Sequence, residues 1–306
     1  MTSATATVDL TGDKSRLRRE RRVKRVFWSA ALLSVLVSAL IIGSLVGEAW
    51  NFVSTVPLDS LWEIGWFPRR DLYDIRTVVA GTMLIAMVAM FVATPLGLGA
   101  AIYLSEYANP RTRRILKPIL EILAGIPSVV LGYFALTWIS PNVVQRFFES
   151  GVFSMASAGI GVGILVTPLV ASVSEDAMRA VPMSLREASY GLGAKKATTV
   201  SRVVFPAAIS GIVASLILGL SRAIGETMVV AMAAGAVGGS LLELNILEPG
   251  QTMTAAMTSL AIGSDQVAGS GNAFQSLFFL GLLLFLITLV LNVASERFVR
   301  RVREKY

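Results

Sequence analysis

The stretch LGLSRAIGETMVVAMAAGA, residues 218–236, decides the fold class, because it is apolar over its length except for a few polar side chains. About 20 apolar residues in a helix cross the ~30 Å hydrocarbon core of a bilayer, so the stretch predicts a membrane span. Two of its side chains, Arg222 and Glu226, are charged. An unpaired charge inside the bilayer costs about 2.5–3.5 kcal/mol or more, so each needs a partner or an aqueous cavity.

Arg222 and Glu226 are four residues apart, which places them on one face of a continuous helix. In that geometry we expect the two charges to neutralise each other. The same face continues through Ser215, Gly219 and Ala233, and small residues of this kind are typical of helix–helix contacts in membranes. The pattern therefore predicts that the charged face points into the protein and not toward lipid.

The Arg222–Glu226 pair has two interpretations. One is an ion pair that only holds helices together, although buried ion pairs are often no more stabilising than apolar residues of similar volume. The other is a substrate site, which we favour because a guanidinium offers planar donors that match an oxyanion and stays charged at physiological pH. Glu226 would then pair with Arg222 between transport events, or accept a hydrogen bond from a protonated anion such as hydrogen phosphate, which sulfate cannot provide at neutral pH.

The composition of the whole chain agrees with a membrane protein. Of its 306 residues, 54% are hydrophobic and 15% are charged, and the mean hydropathy is +0.68. A soluble domain carries about a quarter charged residues. The chain contains no Cys and no His, which excludes thiolate or imidazole metal sites, disulfides and histidine acid–base catalysis. Much of enzyme chemistry is thereby excluded, and we expect no cofactor and no metal.

Hydropathy predicts an all-α fold with six transmembrane helices. The predicted spans are approximately residues 27–49, 78–104, 119–139, 152–173, 207–237 and 274–294.

Basic residues alternate between the two sides of these spans. The tails and the loops at 105–117 and 174–205 together hold 22 of the 27 Lys and Arg residues. Because positive residues favour the cytoplasmic side, both termini are predicted to be cytoplasmic. The net charge of +7 is thus explained by topology and anionic lipid, and we expect no nucleic-acid partner. The predicted regions are a basic tail (1–26), an anchor helix (27–49), an extracytoplasmic loop (50–76), a helical core (77–296) with a cytoplasmic loop at 177–206, and a basic tail (297–306).

Glu121 is a third ionisable residue that we place inside a span. It lies only about one helical turn from the predicted cytoplasmic surface and close to Lys117. Its side chain either reaches back to the surface or contributes to a substrate pathway.

The loop at 177–206 has the pattern of a short surface helix followed by a glycine turn. Its charged residues, such as Arg186 and Glu187, are predicted to be exposed. The spacing of Glu187-Ala188-Ser189, Gly193 and Val203-Val204-Phe205-Pro206 resembles the cytoplasmic loop motif of ABC-importer permeases, with modest departures at 189, 203 and 205. The resemblance implies a type I importer transmembrane domain whose coupling helix docks on an ATPase subunit. The coupling residues would be Glu187, Ala188, Ser189, Gly193 and Pro206.

The energy source is expected on another chain. No Lys in the sequence follows a Gly, so the phosphate-binding loop pattern GxxxxGK[ST] is missing.

Two further segments sharpen the resemblance. SRAIGETMVVAMAAG at 221–235 and LAGIPSVVLGYF at 123–134 are similar to the phosphate-specific (Pst) ABC permeases, and the first is closer to the PstC-type than to the PstA-type subunit. In that family the Arg and Glu of the first segment are linked to phosphate passage, and they match Arg222 and Glu226. The resemblance implies a bacterial cell-membrane permease that imports inorganic phosphate with a PstA-like subunit, two ATP-binding PstB-like subunits and an extracytoplasmic phosphate-binding protein.

Three other functions compete with this prediction. The nearest is an ABC permease for another oxyanion, such as phosphonate, sulfate or molybdate. An ion-coupled carrier is a different class, and carriers commonly show internal repeats with broken helices. An anion channel would not need the loop motif, and its transport would survive ATP depletion.

Overall fold

The computed structural model describes residues 14–235, 238–262 and 271–302, and these residues are mostly helical. The helices are α1 (Lys14–Thr55), α2 (Ile75–Ile102), α3 (Pro110–Ala124), α4 (Ser128–Phe134), α5 (Met155–Arg179), α6 (Met183–Gly191), α7 (Lys196–Thr199), α8 (Ile209–Ile224), α9 (Met228–Ala233), α10 (Met253–Ile262) and α11 (Asn272–Val302).

Some of these helices continue into wider or shorter turns. π-Helical segments extend α2 (Tyr103–Tyr107), α4 (Ala135–Val144) and α7 (Val200–Val204), and short α-helical turns follow the last two (Gln145–Phe147 and Phe205–Ala207). Two 3₁₀ turns (Leu58–Trp62 and Pro68–Arg70) flank a small antiparallel hairpin of β1 (Trp66–Phe67) and β2 (Leu72–Tyr73).

Four helical segments of the described chain are each long and apolar enough to cross a membrane. They are Arg19–Thr55, Ile75–Tyr107, Met155–Arg179 and Asn272–Arg297. Two further helix pairs reach this length only together: Pro110–Ala124 with Ser128–Phe147, bent by 89°, and Lys196–Ala207 with Ile209–Ile224, bent by 71°. The described residues therefore provide up to six spans, if each bent pair is one span.

The predicted third span at 119–139 lies inside the first bent pair, where the chain turns sharply between α3 and α4. Gly125 ends α3 and Pro127 precedes α4. Proline lacks a backbone N–H and disfavours the helical conformation of the residue before it, which favours a break at this point, next to the glycine that ends α3.

The predicted span at 207–237 is also interrupted. Helix α8 ends at Ile224, and the short helix α9 begins at Met228. Gly225 lies at the break, where its poor helix propensity lowers the cost of leaving the helix. Residues 236 and 237, at the end of this predicted span, lie outside the described residues.

The core of the protein lies between α2 and α5. Glycines of α5 allow the two backbones to approach closely: a Cβ atom at Gly163 would lie 2.8 Å from the carbonyl oxygen of Ala89. Helix α8 packs on the same helix α5, and the Oγ atoms of Ser174 and Ser215 are 2.6 Å apart across that contact. Helix α5 therefore connects the bent elements to the straight spans.

The anchor helix α1 packs against α11. At its end, the ring of Phe52 is buried and contacts the rings of Tyr73 and Phe279, with centroid separations of 5.0 and 5.1 Å. The hairpin is closed by Trp66, whose backbone pairs with Ser240. These contacts fix the loop at 50–76 on the helical core.

Candidate substrate pathway and coupling surface

Arg222 lies in the last turn of α8 and faces a cavity of about 260 Å³ between α3, α5 and α8. Lys117, Glu121 and Glu175 line the same cavity. Two cations and two carboxylates thus surround one internal space that is otherwise mostly apolar. Its remaining lining residues are Leu120, Ala124, Leu165, Pro168, Leu169 and Ser172.

The predicted ion pair between Arg222 and Glu226 is not formed. Because the helix breaks at Gly225, the two residues do not share one helix face. The carboxylate Oε1 of Glu226 instead accepts hydrogen bonds from the backbone N–H groups of Met228 (3.2 Å) and Val229 (3.4 Å). Glu226 therefore caps the start of α9, where backbone N–H groups have no partner within the helix.

Arg222 forms no ion pair and no hydrogen bond with any residue in the described part of the chain. The side chain is exposed to the cavity, whereas its helix neighbours Ser215 and Gly219 are buried against α5. The predicted burial of these small residues, and of Ala233, is confirmed. The guanidinium donors of Arg222 are thus available to a ligand.

Glu121 shares the cavity with Arg222, although the two residues are far apart in sequence. Glu121 projects from α3, one turn after Lys117. The side chains of Glu121 and Lys117 also line a second pocket, so they lie between the two spaces.

Glu175, which the sequence analysis missed, is the most buried charge of the cavity, with 0% of its side chain exposed. Its Oε1 lies 2.6 Å from a guanidinium nitrogen of Arg113, and its Oε2 lies 3.3 Å from Nζ of Lys117. The hydropathy prediction ended the fourth span at residue 173 and left Glu175 in the loop. The helical period was the available sequence signal for Glu175. Pro168 and Glu175 are seven residues apart, which places both residues on one face of a helix.

The predicted surface helix is confirmed as α6, and Gly193 beyond it has a φ of +79°, which glycine adopts without strain. Glu187 and Ala188 are exposed, and Pro206 is exposed at the bend before α8. Ser189 is buried, and its Oγ lies 2.9 Å from Oγ1 of Thr199. Ser189 therefore holds α6 against α7 and does not face outward.

Arg186 is buried, so its predicted exposure is wrong. The guanidinium donates hydrogen bonds to the carbonyl oxygens of Met178 (2.9 Å) and Val181 (2.7 Å) and pairs with Glu106 at 2.8 Å. Since Glu106 lies at the end of the α2 segment, this pair attaches α6 to a transmembrane helix. A single Arg on a short helix gives no sequence signal for such a distant partner.

Apolar side chains project from the free side of α6 and the turn after it. Met183 is 65% exposed and Leu192 is 89% exposed, beside the half-exposed ring of Tyr190. Exposed apolar groups clustered on one surface are typical of contacts with another protein.

The bent and straight apolar helices around a charged cavity define a multi-pass membrane permease. Residues 93–304 match the family described as "Binding-protein-dependent transport system inner membrane component", and the chain belongs to this family.

The chain is 31% identical to the phosphate transport system permease protein PstC of Pasteurella multocida (strain Pm70), over 93% of this chain and 92% of that protein. It is 34% identical to the phosphate transport system permease protein PstC 1 of Mycobacterium tuberculosis (strain ATCC 25618 / H37Rv), over 77% of this chain and 75% of that protein. The predicted resemblance to PstC-type permeases is thereby confirmed.

The fold is similar to that of a solved bacterial ABC transporter involved in the import of the acidic polysaccharide alginate, with a TM-score of 0.63 and 15% identity over 94% of this chain and 100% of the solved chain. The predicted fold class, a type I ABC importer transmembrane domain, is confirmed. A permease subunit of this kind is a transport protein and not itself an enzyme.

Proposed function

We propose that this chain is a transmembrane subunit of an ATP-driven phosphate importer, and that Arg222 contacts the anion during its passage. The observation that carries the proposal is the availability of the Arg222 guanidinium: it faces a partly open cavity between α3, α5 and α8 and has no partner in the described part of the chain. A charge in such a position is costly unless it has a function. The names of the relatives in Pasteurella and Mycobacterium support phosphate as the anion.

The other charges of the cavity suit a protonated oxyanion. Arg222 supplies paired donors for two anion oxygens, while Glu121 lies in the same cavity and can accept a hydrogen bond from a P–OH group. A fully deprotonated anion such as sulfate has no proton to offer, so the carboxylate repels it. Recognition of a protonated anion, one of the two roles expected for Glu226, would thus fall to Glu121, because the Glu226 carboxylate accepts hydrogen bonds from the backbone at the start of α9.

The coupling surface supports a separate ATPase. Glu187, Ala188 and the apolar side chains of Met183 and Leu192 are exposed on and beside α6, where a groove on an ATP-binding subunit would receive them. Movement of α6 would reach α2 through the Arg186–Glu106 pair. In this way ATP hydrolysis on the partner would change which side of the membrane the Arg222 cavity opens to.

The complex would contain a homologous PstA-like permease subunit, two PstB-like ATP-binding subunits and an extracytoplasmic phosphate-binding protein. The family description names binding-protein dependence. The chain would lie in the bacterial cell membrane with both termini and α6 on the cytoplasmic side, as the distribution of basic residues favours.

Uptake of labelled phosphate at micromolar concentration tests this function. Cells that lack their own phosphate importer would express this chain with its complete set of partner subunits. We expect uptake that needs ATP, that excess unlabelled phosphate suppresses, and that equal sulfate, molybdate or phosphonate leaves intact. Suppression by one of those anions at lower concentration than phosphate would assign a different substrate, and uptake that survives ATP depletion would contradict an ABC permease.

A further inference from the structure

A second pocket, of about 600 Å³, lies beside the Arg222 cavity, toward the end of the molecule that carries α6. Four cationic side chains line it, and Glu121 is its only acidic lining residue among those described. The cations are Arg113, Arg114, Lys117 and Arg179. We refer to this space as the exit pocket.

Two of these cations have no charge partner. Arg114 and Arg179 are exposed, and neither forms an ion pair or a hydrogen bond through its side chain within the described part of the chain. They project from different helices, α3 and α5, so the fold brings them to one space from distant parts of the sequence. The pocket therefore holds two cations, Arg114 and Arg179, that form no ion pair with a carboxylate of the described chain.

The wall between the exit pocket and the Arg222 cavity consists of charged side chains that can exchange partners. Lys117 and Glu121 line both spaces. Nζ of Lys117 lies 3.3 Å from Oε2 of Glu175 and 3.1 Å from Oδ1 of Asp176. Of these two contacts only the one with Asp176 has hydrogen-bond geometry, whereas Oε2 of Glu175 is buried and accepts no hydrogen bond from the described residues. A flexible ammonium group in such a contact can turn from the carboxylates to an arriving anion.

We propose that the exit pocket is a second oxyanion site, which receives a tetrahedral anion of the phosphate type from the Arg222 cavity as Lys117 leaves Glu175 and Asp176. The inference rests on the proposed function, because it takes the Arg222 cavity as the preceding site. Arg114 and Arg179 supply the free donors, and Lys117 moves with the anion. The site would lower the barrier to release, because the anion leaves Arg222 for other cations and not directly for water.

The native chain contains no cysteine, so a single introduced thiol reports on the pocket. Ala108 lines the exit pocket and is small and half-buried, which makes Ala108→Cys the reporter. The complete complex would be reconstituted in nanodiscs of zwitterionic lipid. The measured quantity is the rate at which an anionic thiosulfonate modifies this chain, with inorganic phosphate or with chloride at equal ionic strength, which removes screening as a cause.

We expect millimolar phosphate to slow the modification of Ala108→Cys several-fold and chloride to leave it unchanged. The double substitution Arg114→Gln with Arg179→Gln should abolish this protection. Arg111→Gln is the matched control, because it removes an exposed charge from the same helix α3 but outside the pocket lining, and protection should persist. A thiol at the exposed residue Ala197 of α7, which is not among the residues that line the pocket, should show no protection in any background.

Three results would overturn the second site. The first is that phosphate still protects Ala108→Cys when Arg114 and Arg179 are both replaced. The second is that phosphate gives no protection in the zwitterionic discs. The third is that the single substitution Arg222→Gln abolishes the protection. If only anionic lipid slows the reaction, the occupant is a lipid headgroup and the proposal is wrong. Failure of the importer function itself would be seen in the uptake assay, whereas this labelling assay depends on phosphate binding only.

Discussion

Glu175 shows how one buried charge organises the cavity. Its carboxylate is completely buried and is balanced by Arg113 and Lys117 from α3, while its neighbour Asp176 is 64% exposed and contacts Lys117 only. The two acidic residues are adjacent in sequence, yet they differ in burial. We therefore expect their ion pairs to contribute differently to the free energy of unfolding. This difference provides a matched pair of substitutions.

We expect Glu175→Gln to destabilise the permease by about 3 kcal/mol, because it leaves the partly buried guanidinium of Arg113 without its counter-charge. Asp176→Asn should cost less than about 1 kcal/mol, since the pair is exposed and screened. Thermal unfolding of the purified complex in detergent measures both. Equal losses for the two variants would show that burial does not determine the strength of these contacts.

The charges of the site were partly predictable at the level of single residues. Arg222 was identified because it is the only basic residue within a predicted span, and the structure places it at an internal cavity. Its partner was not predictable, since the i, i+4 argument assumed a continuous helix and Gly225 interrupts it. Glu175 was missed because hydropathy alone ended the span two residues too early.

At the scale of the elements, α6 is held on one side and free on the other. Arg186 and Ser189 attach it to α2 and α7, while Leu192 at its end is almost fully exposed. A helix fixed in this way can transmit a displacement from a bound partner to the transmembrane helices. The sequence motif predicted the helix and its turn but not these attachments, because they depend on partners outside the motif's spacing: Thr199 is 10 positions from Ser189, and Glu106 is 80 positions from Arg186.

Leu192→Asp should leave the permease folded and weaken its association with the ATPase subunit by roughly tenfold or more, because an apolar contact at the centre of an interface is worth about 1–2 kcal/mol or more. Co-purification of the ATPase subunit with the permease measures this association. The control is Leu244→Asp, which introduces the same charge at an exposed Leu in the segment between α9 and α10. Normal co-purification with Leu192→Asp would contradict the assignment of α6 as the coupling helix.

The helix breaks at Gly125–Pro127 and at Gly225 show what a hydropathy prediction does not detect. Averaged hydrophobicity identified the regions 119–139 and 207–237 as apolar enough to span. The first lies inside the bent pair Pro110–Ala124 with Ser128–Phe147, whereas the second bent pair, Lys196–Ala207 with Ile209–Ile224, begins earlier and ends before the break at Gly225. The 89° bend depends on the local chemistry of Gly125 and Pro127, which an average over many residues does not register. The approximate positions of the apolar segments along the chain were therefore predictable, and the directions of the helices within these segments were not.

At the scale of the whole molecule, composition and hydropathy were sufficient to predict an all-α membrane protein, and the motif resemblance supplied the type I importer fold. The fold is shared with a solved transporter at only 15% identity, so the arrangement of apolar segments constrains it more than individual side chains do. The orientation in the membrane rests on the basic residues. The first bent pair allows a test. A broken span places the two ends of this pair on opposite sides of the membrane, whereas a re-entrant loop places both ends on the same side.

Arg111 lies at the start of this bent pair and Glu149 just beyond its end, and both positions are exposed, so each can carry a single cysteine. If the pair is one span, an impermeant thiol reagent should label Glu149→Cys in intact cells and Arg111→Cys only after permeabilisation. Labelling of both cysteines from the same side would show that the segment re-enters the membrane, and the chain would then cross it fewer than six times.

The central claim is that Arg222 contacts the transported anion. The most direct measurement is ATP-dependent phosphate uptake by proteoliposomes that contain the complete complex with Arg222→Gln, at equal protein content. We expect uptake to fall by about 10- to 100-fold, because a hydrogen bond to a charged group is worth about 1.5–3 kcal/mol. Arg222→Lys should retain part of the activity, and Arg111→Gln should match the unmodified protein. Normal uptake with Arg222→Gln would contradict the account.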